Sequence, residues 1–348
     1  EATCGASRRF DPPDTLVTVA NDRRRLTNLA LLALAPTAVL TGLFSNTIGR
    51  DWAVDPASIH AVTGLAVAAI APWKSVIVRT GVRRRRPTRW LSYGLLALMS
   101  TTIVSGLIHA TDVTDRIGPL TVMQVHVGSG LVALVLLVAH YRSHPVAPRR
   151  QDVNRRVFLR SLGLAGLATA MWMVWEQGLS ATGAGGAARR FTGSHERSSF
   201  DQSGMPVTQW FDDRVQRIEG DAWILEVEET KYRLAELEEM DRQRVTAILD
   251  STSGWYSEQR WEGIRLDRLI EAGDARSIEV RSATGYSRRF PIRDLDRLWL
   301  VTHVDGEPLT AGHGYPARIV APDRRGFWWV KWVVRIRTSH LPWWVQSP

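Results

Sequence analysis

Five apolar stretches, each about as long as the ~20 residues that cross a bilayer, fill the first half of this 348-residue chain and constrain its fold more than any motif. They cover residues 26–48, 57–79, 90–110, 119–141 and 157–176. A soluble helix keeps a polar face toward water, and these stretches mostly lack one, so the pattern predicts a membrane all-α domain of five transmembrane helices. Arginine placement orients them. "NDRRR" precedes the first stretch, "RTGVRRRRPTRW" joins the second and third, and "YRSHPVAPRRQDVNRR" joins the fourth and fifth. The intervening "NTIGRDWAVDP" and "ATDVTDRIGP" contain acids and one arginine each. Positively charged loops stay on the cytoplasmic side, which predicts a multi-pass protein of a bacterial cytoplasmic membrane with its N-terminus inside and its C-terminal domain on the external face. The net charge of +9 then reflects loops facing anionic headgroups, and no nucleic-acid partner is required to explain it.

Composition changes near residue 180. The stretch "SATGAGGAARR" reads as a flexible linker, which divides the chain into a cytoplasmic tail (1–25), a membrane domain (26–178), a linker (179–189) and an external domain (190–348). Cys4 is the single cysteine, so an intramolecular disulfide, a cysteine zinc site and an iron–sulfur cluster are all excluded.

Histidine is costly inside a bilayer and usually faces protein or a cofactor there. His60, His109 and His126 all fall toward the external ends of their stretches, while His140 follows His126 by about 21 Å on nearly the same helix face. That spacing resembles the two-haem helices of b-type cytochromes, and glycines accompany the outer histidines in "HAVTG", "SGLIH" and "VHVGSG". An outer haem b held through its iron by His60 and His126, with His109 as the alternative ligand, is the expected arrangement. For an inner haem, His140 lacks an evident partner, since Lys74 is the nearest polar candidate and lysine snorkels toward headgroups. His109 and His140 as plain interfacial residues remain the competing reading.

From about residue 205 the pattern changes to short β-type runs, "DAWILEVEE", "SIEVRSA", "LWLVTHV", "ARIVAP" and "VKWVVRIRT", with turn signals between them. "LAELEEMDRQRVTAIL" and "LDRLIEAG" read as helices. Strands and helices mixed without βαβ regularity predict an α+β domain. His313, Arg318 and Lys331 stand near glycines, a combination suited to an anion such as a phosphate; loops of any strand-rich protein offer similar residues.

The order "SGW…W.G..L..LI", "SATGY", "VDGEPL…HGYPARIVAP" and "RG.WWVKWV..I" resembles the molybdopterin domain of sulfite oxidase and the periplasmic methionine sulfoxide reductases, over residues 190–345. The resemblance implies a sulfite-oxidase-like α+β fold holding one molybdenum cofactor. It implies pterin and phosphate contacts from His313, Arg318 and Lys331, an N-terminal contact from His195, and cofactor-binding roles for Gly254 and Trp255. It also implies a metal-ligating cysteine at the position of Ser251, which is the site's one departure. Ser251 is compatible with alkoxide ligation of molybdenum, with a cofactor held through its pterin alone, or with an empty scaffold.

"NRRVFLRSLGLAGLA" resembles a twin-arginine export motif, with Arg155 and Arg156 followed by Val157, Phe158 and Leu159; an ordinary positive-inside cluster before a helix is the alternative. Such a signal suits a domain folded around its cofactor before export. The chain is therefore expected to be a membrane-bound oxidoreductase component exchanging electrons with the quinone pool or other respiratory subunits. The rival expectation is a non-catalytic subunit of a larger membrane complex, its tryptophan-rich tail anchoring a partner.

Overall fold

Uninterrupted apolar sequence forms long helices in the computed structural model, which describes residues 14–50, 56–82, 89–143, 145–152, 154–209 and 213–346. They are α1 (Asp14–Thr47), α2 (Pro56–Val82), α3 (Arg89–Thr111), α4 (Val122–Ser143) and α5 (Arg155–Thr182). All five contain a span long and apolar enough to cross a membrane. Asn154 caps α5 by accepting from the Val157 N–H at 3.0 Å, as short polar side chains do at exposed helix starts. The small-residue stretch 179–189 carries the last turn of α5, a left-handed Gly183 at its end and a short 3₁₀ turn over Gly185–Ala188.

The strands in chain order are β1 (Arg116–Ile117), β2 (Leu120–Thr121), β3 (His195–Glu196), β4 (Ile224–Val227), β5 (Thr230–Arg233), β6 (Gln243–Asp250) and β7 (Trp255–Arg265). They continue with β8 (Ser277–Ser282), β9 (Ser287–Pro291), β10 (Trp299–Val304), β11 (Glu307–Pro308), β12 (Arg318–Val320) and β13 (Val333–Ser339). A short helix, α6 (Leu234–Glu239), lies between β5 and β6.

Two compact units result. The first comprises Glu1–Leu43, Pro56–Ile108 and Gln124–Gly183; the second comprises Phe44–Asp55, His109–Met123 and Ala184–Pro348. In the second, one sheet runs β11-β10-β7-β3 with β12 on β10 and β6 on β7, and another runs β5-β4-β13-β8-β9. Only β3–β7 and β4–β13 pair in parallel among these ladders, so the unit has the expected α+β character.

Both helices expected in this half are corrected. "LAELEEMDRQRVTAIL" is helical only to Glu239, after which residues 243–250 form β6, paired with β7 from Gln243–Gly263 to Asp250–Tyr256. Val245, Thr246 and Ile248 are β-branched and suit a half-buried strand better than a helix, and the buried Ala247 and Leu249 flank the more exposed Ile248. "LDRLIEAG" forms a single 3₁₀ turn over Leu266–Arg268.

Tryptophan fills much of the core, and several of its indole N–H groups donate to carbonyls, whereas that of the buried Trp255 has no hydrogen-bond partner among the described residues. Trp261 donates to the Ala247 carbonyl at 3.1 Å, Trp223 to Val333 at 3.0 Å and Trp332 to Ala311 at 2.8 Å. Trp328, Trp329 and Trp332 of the C-terminal run are buried. They therefore serve packing, and the tail expected to anchor a partner offers Trp344 as its exposed aromatic.

Candidate functional site

The turn that carries Ser251 follows directly from the β6–β7 hairpin. Gly254 adopts φ +90°, a conformation that a side chain strains, and its N–H donates to the Ser251 carbonyl at 3.2 Å. The Ser251 N–H in turn donates to Trp255 at 2.8 Å. Beneath the turn, Asp250 and Arg325 form a buried ion pair. Thr192 and Ser194 donate to the Asp250 carboxylate at 2.8 and 2.7 Å, and Arg325 donates to the Ser251 carbonyl at 2.9 Å. Buried charge persists only when paired and hydrogen-bonded, and this network fixes the backbone of Ser251.

Ser251 faces a cleft of about 110 Å³. Trp255, His313, Arg318 and Lys331, all named from sequence, line the same cleft, together with Tyr286 and Trp329, which lie within the quoted motifs without an assigned role, and Thr208 and Asp213, which the sequence did not single out. No motif marks Thr208; "PVTQW" carries only ordinary residues, and its position is set by the fold. Ser251 Oγ accepts from the Ser253 N–H at 3.1 Å and shares a 3.3 Å hydrogen bond with the Thr208 hydroxyl.

Two cations dominate the walls. Arg318 is wholly buried, with its guanidinium 5.1 Å from the Trp261 ring centroid and 5.6 Å from Trp329. It donates to the carbonyls of His313 and Trp329 at 3.0 and 3.4 Å, and its Nε has no hydrogen-bond partner. Burial lowers its pKa to about 9, so it stays charged at neutral pH. Lys331 donates to Gly312 at 2.6 Å and Thr208 at 3.1 Å. Burial, followed by the charge of Arg318, lowers its pKa to about 7, against the opposing pull of Asp213. His313 is brought to about 4 by burial and then by Arg318, so it is neutral. Its Nε2–H donates to the Met205 carbonyl at 3.0 Å and its Nδ1 accepts from Thr310 at 2.8 Å. It therefore shapes the wall, while Arg318 and Lys331 supply the charge.

His195 and Gly254 are not part of the cleft lining. His195 pairs in register with Trp255 on β7, and its Nε2 donates to the His109 carbonyl at 2.8 Å. Burial lowers its pKa, partly opposed by Asp112. His109 belongs to this second unit; its ring lies 4.8 Å from that of His195, and its Nε2 donates to the Gly193 carbonyl at 2.9 Å. The nitrogen expected as an alternative haem ligand is thus engaged by backbone.

In the first unit, His60 and His126 come together, with ring centroids 5.7 Å apart and Nε2 atoms separated by 3.4 Å. Each Nδ1 lies 2.8 Å from a carbonyl, Ala38 for His60 and Thr102 for His126. A carbonyl only accepts, so both Nδ1 atoms carry the proton, and two Nε2 lone pairs face each other. Two such nitrogens could accept a metal between them, with ring orientation set by the outer hydrogen bond. Metal–imidazole bonds of ~2.0–2.1 Å on each side require only a slight opening of the pair. Gly42 and Gly106 provide the seats, since a Cβ would stand 2.8 Å from the His60 ring and 2.9 Å from the His126 ring. Gly106 is in the expected "SGLIH" signal; Gly42 and Ala38 were not expected. His140 lies near the C-terminal end of α4. Arg155, Arg156, Phe158 and Leu159 occupy the exposed first turns of α5, and Cys4 lies outside the described residues.

The cleft's residues fit an anionic pterin: they supply a permanent cation with an unpartnered Nε, a second cation near its pKa, and aromatic walls. They offer a hydroxyl where a thiolate would ligate molybdenum. Residues 213–343 match the family model of the oxidoreductase molybdopterin binding domain. Mitochondrial sulfite oxidase of Rattus norvegicus is 32% identical over 114 residues, covering 28% of this chain and 21% of that protein's length. The sulfane dehydrogenase SoxCD of Paracoccus pantotrophus aligns structurally at 23% identity and a TM-score of 0.36, covering 38% of this chain and 41% of that one. This chain carries a molybdopterin-binding oxidoreductase domain related to sulfite oxidase.

Proposed function

We propose that the chain is a membrane-anchored, molybdopterin-dependent oxidoreductase component. In this reading the five helices cross a bacterial cytoplasmic membrane, and the second unit lies on the external face. Support for the orientation comes from the second unit itself, whose described residues gather 44–50 and His109–Met123 with the chain after Ala184. Those are the acid-containing connections that the arginine pattern assigns outside. The arginine pair at 155–156 then serves export of a domain folded around its cofactor.

The observation that carries the reading is the cleft holding Ser251, Arg318 and Lys331 within the matched domain. Molybdopterin, when bound, supplies a metal centre for two-electron exchange with a small oxo-compound. The chain's own residues hold and orient it: Arg318 and Lys331 neutralise its phosphate, and Trp255 and Trp329 wall the cleft. His60 and His126 would hold a haem b iron that links the second unit electronically to the quinone pool.

A second reading is favoured by Ser251. Its oxygen already accepts the Ser253 N–H and shares a hydrogen bond with Thr208, and a hydroxyl is a far poorer acid than a thiol. A non-catalytic subunit that keeps the pterin fold as a partner-binding module would retain such an arrangement. Metal analysis and an absorbance spectrum of the full chain, purified from cells competent in molybdenum-cofactor synthesis, separate the two. Molybdenum together with a b-haem spectrum is expected. Haem without molybdenum would favour the non-catalytic subunit, and absence of haem would remove the electron-transfer link.

A further inference from the structure

The two histidine seats are built alike, and the likeness extends into the sequence. On α1 the Ala38 carbonyl and Gly42, one turn apart, receive His60; on α3 the Thr102 carbonyl and Gly106, again one turn apart, receive His126. Each histidine is the fifth residue of its helix, α2 starting at Pro56 and α4 at Val122. Around the seats α1 reads "LLALAPTAVLTGL" (31–43) and α3 reads "LLALMSTTIVSGL" (95–107). After the histidines, α2 reads "HAVTGL" and α4 "HVGSGL". The first four helices are therefore two copies of one helical hairpin, and the facing imidazoles are its repeated feature.

The repeat makes a second level readable. Fourteen residues beyond His126 stands His140, and fourteen beyond His60 stands Lys74, in each case about four turns and ~21 Å further along. Lys74 thus holds the position that corresponds to His140. The antiparallel register that sets Gly42 against His60 also sets Asn28 against Lys74, and there Lys74 Nζ donates to Asn28 Oδ1 at 2.7 Å. At the first level a glycine makes room for an imidazole; at the second an amide fills that room and holds an ammonium. A lysine ammonium is protonated and has no lone pair to offer a metal.

We infer that the first unit is a duplicated hairpin with one complete bis-histidine level and one altered level, so that the chain holds a single haem, between His60 and His126, and none at His140. The inference rests on the haem reading above and fixes its stoichiometry. Haem per chain, measured on the purified full-length protein by extraction and absorbance, is expected to be one. In the double variant Asn28→Gly/Lys74→His, which places at this level the glycine and imidazole that Gly42 and His60 supply at the first, it is expected to rise to two. His140→Leu in the native chain is expected to leave it at one, an outcome that does not depend on the double variant folding. Two haems in the native chain, loss of haem in His140→Leu, or a folded double variant still holding one would overturn the inference while leaving the haem reading intact. No haem in the native chain would overturn both.

Discussion

Lys331 shows how a single side chain ties ligand binding to pH. Its pKa of about 7 in the free cleft results first from burial and then from Arg318, and a bound phosphate raises it by charge attraction. Above pH 7 binding therefore requires proton uptake. Pterin affinity is expected to fall by up to about tenfold per pH unit from pH 7 to the complex's raised pKa. Phosphate ionisation adds little there, its second pKa being about 6. Pterin retained after dialysis at pH 7 and pH 8.5 measures this, and Lys331→Met is expected to remove the dependence; an unchanged slope in that variant would show that another group titrates. The glycine seats make an equally local prediction. Gly42→Ala or Gly106→Ala puts a methyl within 3 Å of a histidine ring and is expected to remove most of the haem, whereas Gly64→Ala, whose Cβ meets nothing within 4 Å, leaves it unchanged. Equal haem loss in all three would point to a general helix effect instead.

At the scale of elements, the β6–β7 hairpin depends on the charges beneath its turn. Asp250 is buried against Arg325 and accepts from Thr192 and Ser194. Asp250→Ala leaves an uncompensated buried guanidinium, and removal of one partner from such a pair costs about 3–5 kcal/mol. Arg244→Ala, which breaks the exposed pair with Glu262, is expected to cost under about 1 kcal/mol. Tryptophan fluorescence during denaturation compares them, and equal losses would argue that the buried network is not structural. Elements also mark where sequence reasoning works. Val280 and Ile278 in β8, or Leu300 and Val301 in β10, are buried runs whose β-branched and apolar pattern is local and readable. The stretch 234–249 reads as one helix because its first six residues favour a helix strongly. Its strand is fixed by pairing with residues 256–263, information that no local window contains. The cleft shows the same division: Arg318 and Lys331 stood out as charged residues beside glycines, whereas Thr208 reaches Ser251 only through the fold.

Across the whole molecule, two compact units carry two different side-chain arrangements: facing imidazoles in one and a cationic, aromatic cleft in the other. The histidine pair was legible because polar residues are conspicuous in apolar helices. His109 was not separable from that pair by sequence, since its engagement with Gly193 depends on how the 109–123 segment joins the second unit. The central claim is that the cleft beside Ser251 holds molybdopterin. Its most direct test is the pterin content of the full-length protein purified from cofactor-competent cells, set beside that of an Arg318→Met/Lys331→Met variant. One pterin per native chain, with none in a folded variant, is the predicted result; a folded native chain without pterin would contradict the account.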